Sequence, residues 1–429
     1  MLQCKTKWKK EQLKNILEDS YAGGTPNRSR EDFYGGTIPW VTSGEVNQSK
    51  IIETNEYITD LGYKNSSAKK IPKDTVLLAM YGATAGQVSM LKIPATANQA
   101  VLAIIPCKEL DKNYLYHNLR YFKERILFSA QGSGQTNLSK ELVEKYKITF
   151  PMNTEEQQRI ANILSTCDEV IEKTEETIEK YKQIKAGMMQ DLFTRGLDEN
   201  GKLRPTYTQN PDLYKYSKEL DRHIPKEWDV KNLSILGEFK NGLNKEKKCF
   251  GHGTKFVNII DAYKEYLDIG SLDRVETNNN DLLVYSLKNN DLIFVRSSVK
   301  PEGVGYNTIF LGADEPVVYC GFMIRFRLYE SDNINAQFLN YYFRSDYFRR
   351  ALIAKSTVSA NTNINQDSLN QLYTILPKEK EQNKIVDIID NMNKNISFEE
   401  QYLNKYKQIK QGLMKRLLTP PADAEIVEE

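Results

Sequence analysis

The stretch Glu155–Arg195, EEQQRIANILSTCDEVIEKTEETIEKYKQIKAGMMQDLFTR, occurs twice in this chain. Its second copy starts at Glu381 and reads EQNKIVDIIDNMNKNISFEEQYLNKYKQIKQGLMKRLLT. The hexapeptide KYKQIK at Lys180–Lys185 returns at Lys405–Lys410, an offset of 405 − 180 = 225. The same offset pairs Glu156 and Gln157 with Glu381 and Gln382, Ile160 with Ile385, Gly187 with Gly412, Met189 with Met414 and Thr194 with Thr419.

Positions spaced alternately by four and three are Ile160, Leu164, Cys167, Ile171, Thr174, Ile178, Tyr181, Lys185, Met188 and Leu192 in the first copy. In the second they are Ile385, Ile389, Met392, Ile396, Glu399, Leu403, Tyr406, Lys410, Leu413 and Leu417. This is a heptad seam, and both copies break it at the same two steps, Thr174 with Glu399 and Lys185 with Lys410. Two helices that each expose an apolar stripe most simply bury it on one another within the chain. At 1.5 Å per residue such a helix is a rod of about 60 Å, the length of a spacer. A coiled coil that only dimerises the protein is the plainer alternative.

The repeat extends beyond the helices. A chain of 429 residues suggests two or three domains. Residues 1–152 read as a mixed domain: short β-rich runs (Thr37–Thr42, Thr75–Met80, Gln87–Leu91, Ala100–Pro106), an amphipathic helix over Asn113–Phe128, and a short helix opened by Asn137 or Ser139. Thr154 is placed to cap the long helix at 153–196. Residues 197–226 are polar, rich in Gly and Pro, and read as a linker. A second mixed domain occupies 227–378, a second long helix 379–419 and a flexible tail 420–429. In the second domain Trp228 repeats Trp8, Leu233 repeats Leu13, Gly242 repeats Gly24, Phe250 repeats Phe33, Val257 repeats Val41, Asp291 repeats Asp74, and Thr362-Asn363 repeats Thr136-Asn137. The fold class is therefore α+β: two mixed α/β domains separated by two long antiparallel helices, a coiled coil, in a tandem pseudo-twofold repeat.

The two domains share punctuation and apolar positions but differ in polar residues. Trp40–Val46 (WVTSGEV) faces Phe256–Ala262 (FVNIIDA), and Met80–Gly86 (MYGATAG) faces Arg296–Gly303 (RSSVKPEG). Related platforms with unlike polar loops suit two readers of different targets held at a set distance.

Charged residues make up 27% and hydrophobic residues 40%, and the apolar runs are strand-sized, which argues against a membrane span. The basic start MLQCKTKWKKEQLK has no apolar core behind it, so no signal peptide is expected. Five scattered cysteines (Cys4, Cys107, Cys167, Cys249, Cys320) argue against a disulfide framework or a zinc site and make the cytoplasm the default. A formal net charge of +2 leaves room for a basic face balanced by Glu-rich helices. No P-loop is present; Asn210-Pro-Asp-Leu and Thr419-Pro-Pro-Ala do not supply the [DN]-P-P-[YF] signature of an adenine methyltransferase. His117, His223 and His252 are far apart in sequence, and each reads as structural or solvated.

These motifs, in this order and twice over, resemble the specificity (S) subunit of a type I restriction-modification system. The resemblance covers essentially the whole chain and rests on IPWVTSGEV (Ile38–Val46), MYGATAGQV (Met80–Val88), ANQAV (Ala97–Val101), GSGQTNLSKE (Gly132–Glu141), the two helix segments, the GLDENGKLRP linker and IPKEW (Ile224–Trp228). GLNKEKKCFGHGTKFVN (Gly242–Asn258) and VRSSVKPEGVG (Val295–Gly305) resemble another class of target-recognition domain of that family. The resemblance implies a non-catalytic subunit whose two target-recognition domains each read one half of a bipartite asymmetric site in double-stranded DNA. It further implies that the helices dock two modification subunits, which carry S-adenosylmethionine and methylate adenine N6, and that restriction subunits using ATP and Mg join the full complex. The chain itself is then expected to hold no cofactor and no metal. A stand-alone DNA-binding or coiled-coil scaffold protein is the alternative.

DNA bases are read by Arg, Lys, Asn, Gln, Ser and Thr, and phosphates take Lys, Arg and main-chain amides. The candidates are Thr42, Ser43, Tyr81, Thr84, Asn98, Gln99, Gln135 and Asn137 in the first domain. In the second they are Asn244, Lys245, Asn258, Arg296, Ser297, Ser298, Lys300, Asn361 and Asn363. Arg296, just after the apolar run Leu292–Val295, is the strongest of them for a guanine or phosphate contact; a surface ion pair is its plainer reading. For the small polar residues the plainer reading is a turn cap.

Overall fold

A computed structural model of the chain describes residues 7–130, 137–329, 333–358 and 361–428. It divides into two compact units, Met1–Glu176 with Glu400–Glu429, and Thr177–Glu399. The division cuts across the linear order of domain, helix, domain, helix, because its boundaries fall inside the two 39-residue helices, Thr154–Leu192 and Glu379–Leu417.

In the first unit the central sheet runs in the order Leu17–Ala22, Val101–Pro106, Thr75–Ala79, Val88–Leu91, Lys50–Ile51. Thr75–Ala79 (TVLLA) is buried at every residue, as a strand covered on both faces requires. Alternation sends Val76 and Leu78 into one core with Tyr114, Leu115 and Phe150, and Leu77 and Ala79 into another with Val41, Val46 and Ile51. The second unit repeats the plan. Its sheet runs Gly237–Asn241, Met323–Leu328, Asp291–Val295, Asn307–Phe310, and Asp291–Val295 (DLIFV) is again buried throughout. Leu292 and Phe294 face one core, Ile293 and Val295 the other.

Backbone hydrogen bonds fix the correspondence between the copies more closely than residue matching does. Leu13 N donates to Tyr146 O and Leu233 N to Leu372 O, both at 2.9 Å, so these leucines are equivalent as expected. Three of the expected matches shift by one residue. Gly23, not Gly24, is the counterpart of Gly242: they donate to Val101 O at 3.0 Å and Met323 O at 3.1 Å. Tyr34, not Phe33, matches Phe250, since the same bulge separates Tyr34 from Ile38 and Phe250 from Thr254. Asp74 matches Asn290, not Asp291, and both occupy a left-handed turn with φ of 62° and 69°. Asp and Asn are among the few non-glycine residues that tolerate that region.

Each unit pairs its two helix portions antiparallel. In the first, Lys407 meets Glu175 at 2.7 Å and Lys410 meets Asp168. In the second, Met188 and Leu192 pack in one core with Ile385 and Ile389. The seam residues Ile160, Leu164, Ile178, Leu192, Ile385, Ile389 and Ile396 are buried, and Ile171, Tyr181, Met188, Leu403, Tyr406, Leu413 and Leu417 half-buried. The ends of the seam do more than pair helices: Ile160 and Leu164 enter the core of the first domain, and Ile385 and Ile389 that of the second.

The two lysines that interrupt the seam are also accounted for. Lys410 is 9% exposed and bridges to Asp168, which lies 3.7 Å from Arg120 of the first domain. Lys185, its equivalent, bridges to Glu265 of the second domain. Glu265 also accepts from Asn393 at 2.7 Å, and Asn393 donates to the Tyr341 hydroxyl at 2.9 Å. Apolar residues at these steps would strip two half-buried carboxylates of their closest cations.

Several local expectations need correction. Asn153 rather than Thr154 caps the first long helix, accepting from Glu155 N at 2.8 Å. The helix expected over Asn113–Phe128 breaks at Phe122 into Lys112–Tyr121 and Lys123–Ala130. The linker carries a hairpin, Tyr214–Ser217 with Arg222–Pro225, and is tied down by Arg204, which donates to both oxygens of Glu381 at 2.6 and 3.0 Å. The segment read as a flexible tail contains a strand, Glu425–Glu428, parallel to Lys7–Gln12. Alternation was hard to see there because it lasts four residues among prolines and acids.

Candidate nucleic-acid interface

At the end of each fully buried central strand the chain leaves the core through the same junction. In the first unit Met80 N donates to Ala100 O at 2.7 Å and Leu138 N donates to Met80 O at 2.8 Å. In the second, Arg296 N donates to Phe322 O at 2.8 Å and Ile364 N donates to Arg296 O at 2.9 Å. A fourth segment joins each, because Asn98 N donates to Val41 O at 2.9 Å and Cys320 N to Val257 O at 3.0 Å. Sequence-distant candidates therefore converge: Thr42, Tyr81, Asn98 and Asn137 in one unit, Asn258, Arg296, Ser297 and Asn363 in the other. Gln135 lies outside the described residues.

The loop that leaves the junction differs in length. Gly86 N returns to Ala79 O at 2.8 Å, and Gly305 N to Val295 O at 2.7 Å. The offset grows from 295 − 79 = 216 to 305 − 86 = 219, so the second loop is three residues longer. In it Ser297–Ser298 form a strand paired with Thr362–Asn363, which in turn pairs with Thr357–Val358. An open cleft of about 670 Å³ lies beside this strand, lined by Tyr263, Ser297, Ser298, Lys300, Tyr306 and Arg344 among others.

The candidates divide by what already holds them. The Thr42 hydroxyl donates to the buried Glu45 carboxylate at 2.8 Å, and its equivalent Asn258 donates from its backbone to Asp261 and from its side chain to Asp273, both at 2.8 Å. Asn98 accepts from Ala100 N at 3.1 Å, and Gln99, which is exposed, accepts from the Thr25 hydroxyl. Lys245 pairs with Asp281 at 2.6 Å and holds that carboxyl below its usual range. Asn244 lies against Gly321, where a Cβ would stand 1.9 Å from its Oδ1. Asn363 donates to Asn361 O at 3.0 Å, and Ser298 Oγ accepts from Lys300 N at 3.3 Å. Ser43 and Thr84 are half-buried on the short helical turns that start at Ser43 and end at Thr84. Thr42, Asn98, Gln99, Lys245, Asn258, Ser298 and Asn363 are thus engaged within the chain, whereas the Ser43 and Thr84 hydroxyls make no hydrogen bond among the described residues.

Arg296, Lys300 and Tyr81 are the long side chains among the candidates without such a partner among the described residues. Among the described residues the guanidinium of half-buried Arg296 and the ammonium of exposed Lys300 have no ion pair or hydrogen bond, and neither does the exposed Tyr81 hydroxyl. The ion pair that could have explained Arg296 is absent there.

Sequence reading missed the apolar part of this surface. Phe322 is 58% exposed, Ile260 76%, Val299 83% and Val358 77%. Phe322 sits in the turn just before the buried Met323, whose amide donates to Cys320 O at 3.0 Å, so one residue separates an outward ring from the core strand.

The histidines stay apart from this junction. His117 is fully buried, bonded through Nε2 to Ser165 Oγ at 3.0 Å, and burial pushes its pKa down to about 3. His223 stacks on Tyr207, and exposed His252 lies 3.8 Å from Glu276. Among the described residues no group of three or more His, Cys, Asp or Glu is placed to hold a metal ion, and no helix is long and apolar enough to cross a membrane.

The repeat is matched by a known family. The family described as the type I restriction modification DNA specificity domain matches at residues 5–183 and again at 225–408. The chain belongs to this family. Each specificity domain, as the family defines it, runs from a β-rich half into most of a long helix. The chain is 30% identical over 242 residues to the type I restriction enzyme MjaIX specificity subunit of Methanocaldococcus jannaschii, 55% of this chain and 53% of that protein. It thus spans about half the length of that relative. It is 25% identical to the MjaVIII specificity subunit of the same organism, over 81% of this chain and 79% of that one. The StySPI specificity subunit of Salmonella potsdam is 23% identical over 88% and 77%. In fold the chain resembles the S subunit of a type I restriction-modification system from M. genitalium, with a TM-score of 0.58 at 16% identity over 98% of this chain and 99% of that one.

Proposed function

We propose that this chain is the non-catalytic DNA-recognition subunit of a type I restriction-modification complex, each specificity domain reading one half of a bipartite asymmetric site. The observation that carries this reading is the repeated junction: one backbone frame, two different sets of outward residues, Met80-Tyr81 in one and Arg296-Ser297 in the other. An invariant frame positions a surface, and variable side chains on it specify sequence. Arg296 and Lys300, which have no ion pair or hydrogen bond to their side chains among the described residues, supply cations for guanine and phosphate. An internal repeat of two readers produces two half-sites, and fixed helices set the spacing between them.

The long helices dock two modification subunits, which bring S-adenosylmethionine and the chemistry of adenine N6 methylation. Restriction subunits with ATP and Mg complete the assembly where they are encoded. This subunit contributes position and selectivity, acts in the cytoplasm, and needs no cofactor of its own.

Purifying the chain with and without an adenine methyltransferase subunit tests the reading. The expected result is a stable complex of two such subunits per chain that binds one asymmetric duplex site at least 10³-fold tighter than unrelated duplex, a typical lower bound for specific recognition. Failure to form a complex with a catalytically competent partner points instead to a stand-alone scaffold.

A further inference from the structure

Arg296 and Phe322 are joined through their backbones. One step beyond the Val295–Met323 pair that ends the ladder, the Arg296 amide donates to the Phe322 carbonyl at 2.8 Å. Val295 and Met323 are fully buried, whereas Arg296 is half-buried and Phe322, in the turn Cys320–Met323, is exposed. A cation with no partner among the described residues and a phenyl ring 58% exposed are therefore linked by one backbone hydrogen bond at the mouth of the junction.

The equivalent pair in the first domain is Met80 with Ala100, joined by the same hydrogen bond at 2.7 Å. Met80 is 1% exposed and Ala100 is small, so that position offers neither a cation nor an outward ring. The enlargement is not confined to one residue. Ile260, 76% exposed, stands where the first domain has Gly44, by the offset 257 − 41 = 216. An exposed ring gains hydrophobic free energy only when something apolar covers it. On a duplex, the apolar group within reach of an arginine that reads guanine is the C5 methyl of a neighbouring thymine in the major groove.

Resting on the DNA-recognition reading above, we propose that Arg296 and Phe322 form one composite reader of a guanine and an adjacent thymine. Arg296 donates to O6 and N7 of the guanine, and the Phe322 ring packs on the thymine methyl. Lys300, on the loop that follows, takes a phosphate. The half-site read by the second domain therefore contains a G·C pair beside an A·T pair, and the first domain lacks this device.

The test uses the assembled complex and duplex DNA carrying its mapped site. Each thymine of the second domain's half-site, on either strand, is replaced singly by deoxyuridine, which removes only the methyl group. One position is expected to lower the methylation rate at subsaturating DNA by about 4-fold, the worth of one buried methyl. In Phe322→Ala that position becomes insensitive to deoxyuridine, while Phe322→Leu keeps part of the effect. Phe322 lies outside the buried core, and an unchanged response to substitutions in the other half-site confirms that the variants are folded. The inference is overturned by a half-site without thymine, by no methyl-sensitive position, or by sensitivity that persists in Phe322→Ala. Failure of the underlying reading looks different: the unmodified complex then shows no site preference on ordinary DNA.

Discussion

Gln157 and Gln382, 225 positions apart, make the same three hydrogen bonds at the start of their helices. Gln157 donates to Pro151 O at 2.8 Å and Glu109 O at 2.9 Å, and accepts from Asp111 N at 2.7 Å. Gln382 donates to Pro377 O at 2.8 Å and Asn333 O at 3.4 Å, and accepts from Asn335 N at 2.9 Å. One buried amide thus joins the last strand, the loop before the domain helix and the long helix. Replacing it by leucine strands three backbone groups. Gln157→Leu is expected to cost about 2–4 kcal/mol, read from urea unfolding at constant m value. A cost below about 0.5 kcal/mol contradicts this role.

Lys410 and Asp168 form a pair in which one partner cannot be removed cheaply. Burial lowers the Lys410 pKa, and the Asp168 carboxylate opposes that shift. Lys410→Met is predicted to destabilise the first unit by about 3 kcal/mol by stripping Asp168 of its closest cation. The double variant Lys410→Met with Asp168→Leu is predicted to recover most of that loss, since apolar replacement of a buried pair is often neutral. Equal losses in the single and double variants refute the pairing.

His117 makes stability depend on pH. Burial, the largest cause, pushes its pKa down to about 3 from an ordinary 6.5; Asp168 raises it, and Lys410 and Arg120 add to the lowering. Between these values the unfolded state binds more protons than the folded one, so stability falls as pH drops below 6.5 and continues to fall towards 3. The slope is about 1.4 kcal/mol per pH unit within that window. His117→Gln is expected to remove this contribution, seen as a flatter dependence of the urea midpoint between pH 7 and 5.

Arg296 and Lys300 are predicted to fail in different ways. Arg296→Gln should cost about 1–3 kcal/mol at one base pair and relax specificity there. Lys300→Ala should weaken binding to all sequences and lower the salt slope by about one. Competition binding with single-base variants, repeated at several salt concentrations, separates the two. Identical profiles for both variants remove Arg296 from base reading.

Much of this architecture was legible because it is written twice. The heptad positions of Ile160 and Ile385 follow from the offset of 385 − 160 = 225, and the paired tryptophans Trp8 and Trp228, at 228 − 8 = 220, show the same repeat with loops of different length. One-residue errors arose at Gly23, Tyr34 and Asp74, where bulges and turns shift the frame and identity alone misleads. At the site, Arg296 stood out as a cation after an apolar run. The capping roles of Thr42 and Asn258 were not separable from DNA contact, because a hydroxyl or amide serves either purpose and its partner is decided by folding. Phe322 was invisible for the opposite reason: a phenylalanine beside a buried strand reads as core until the sheet shows where it ends.

The central claim is that two domains on one frame read two different half-sites. Its most direct test is to map N6-methyladenine in DNA from cells that co-express the chain with its modification subunit, before and after residues 1–152 are exchanged for those of a relative. The account predicts one asymmetric two-part motif with a fixed spacer, of which the exchange alters one half only. Methylation that ignores the exchange, or that alters both halves at once, contradicts it.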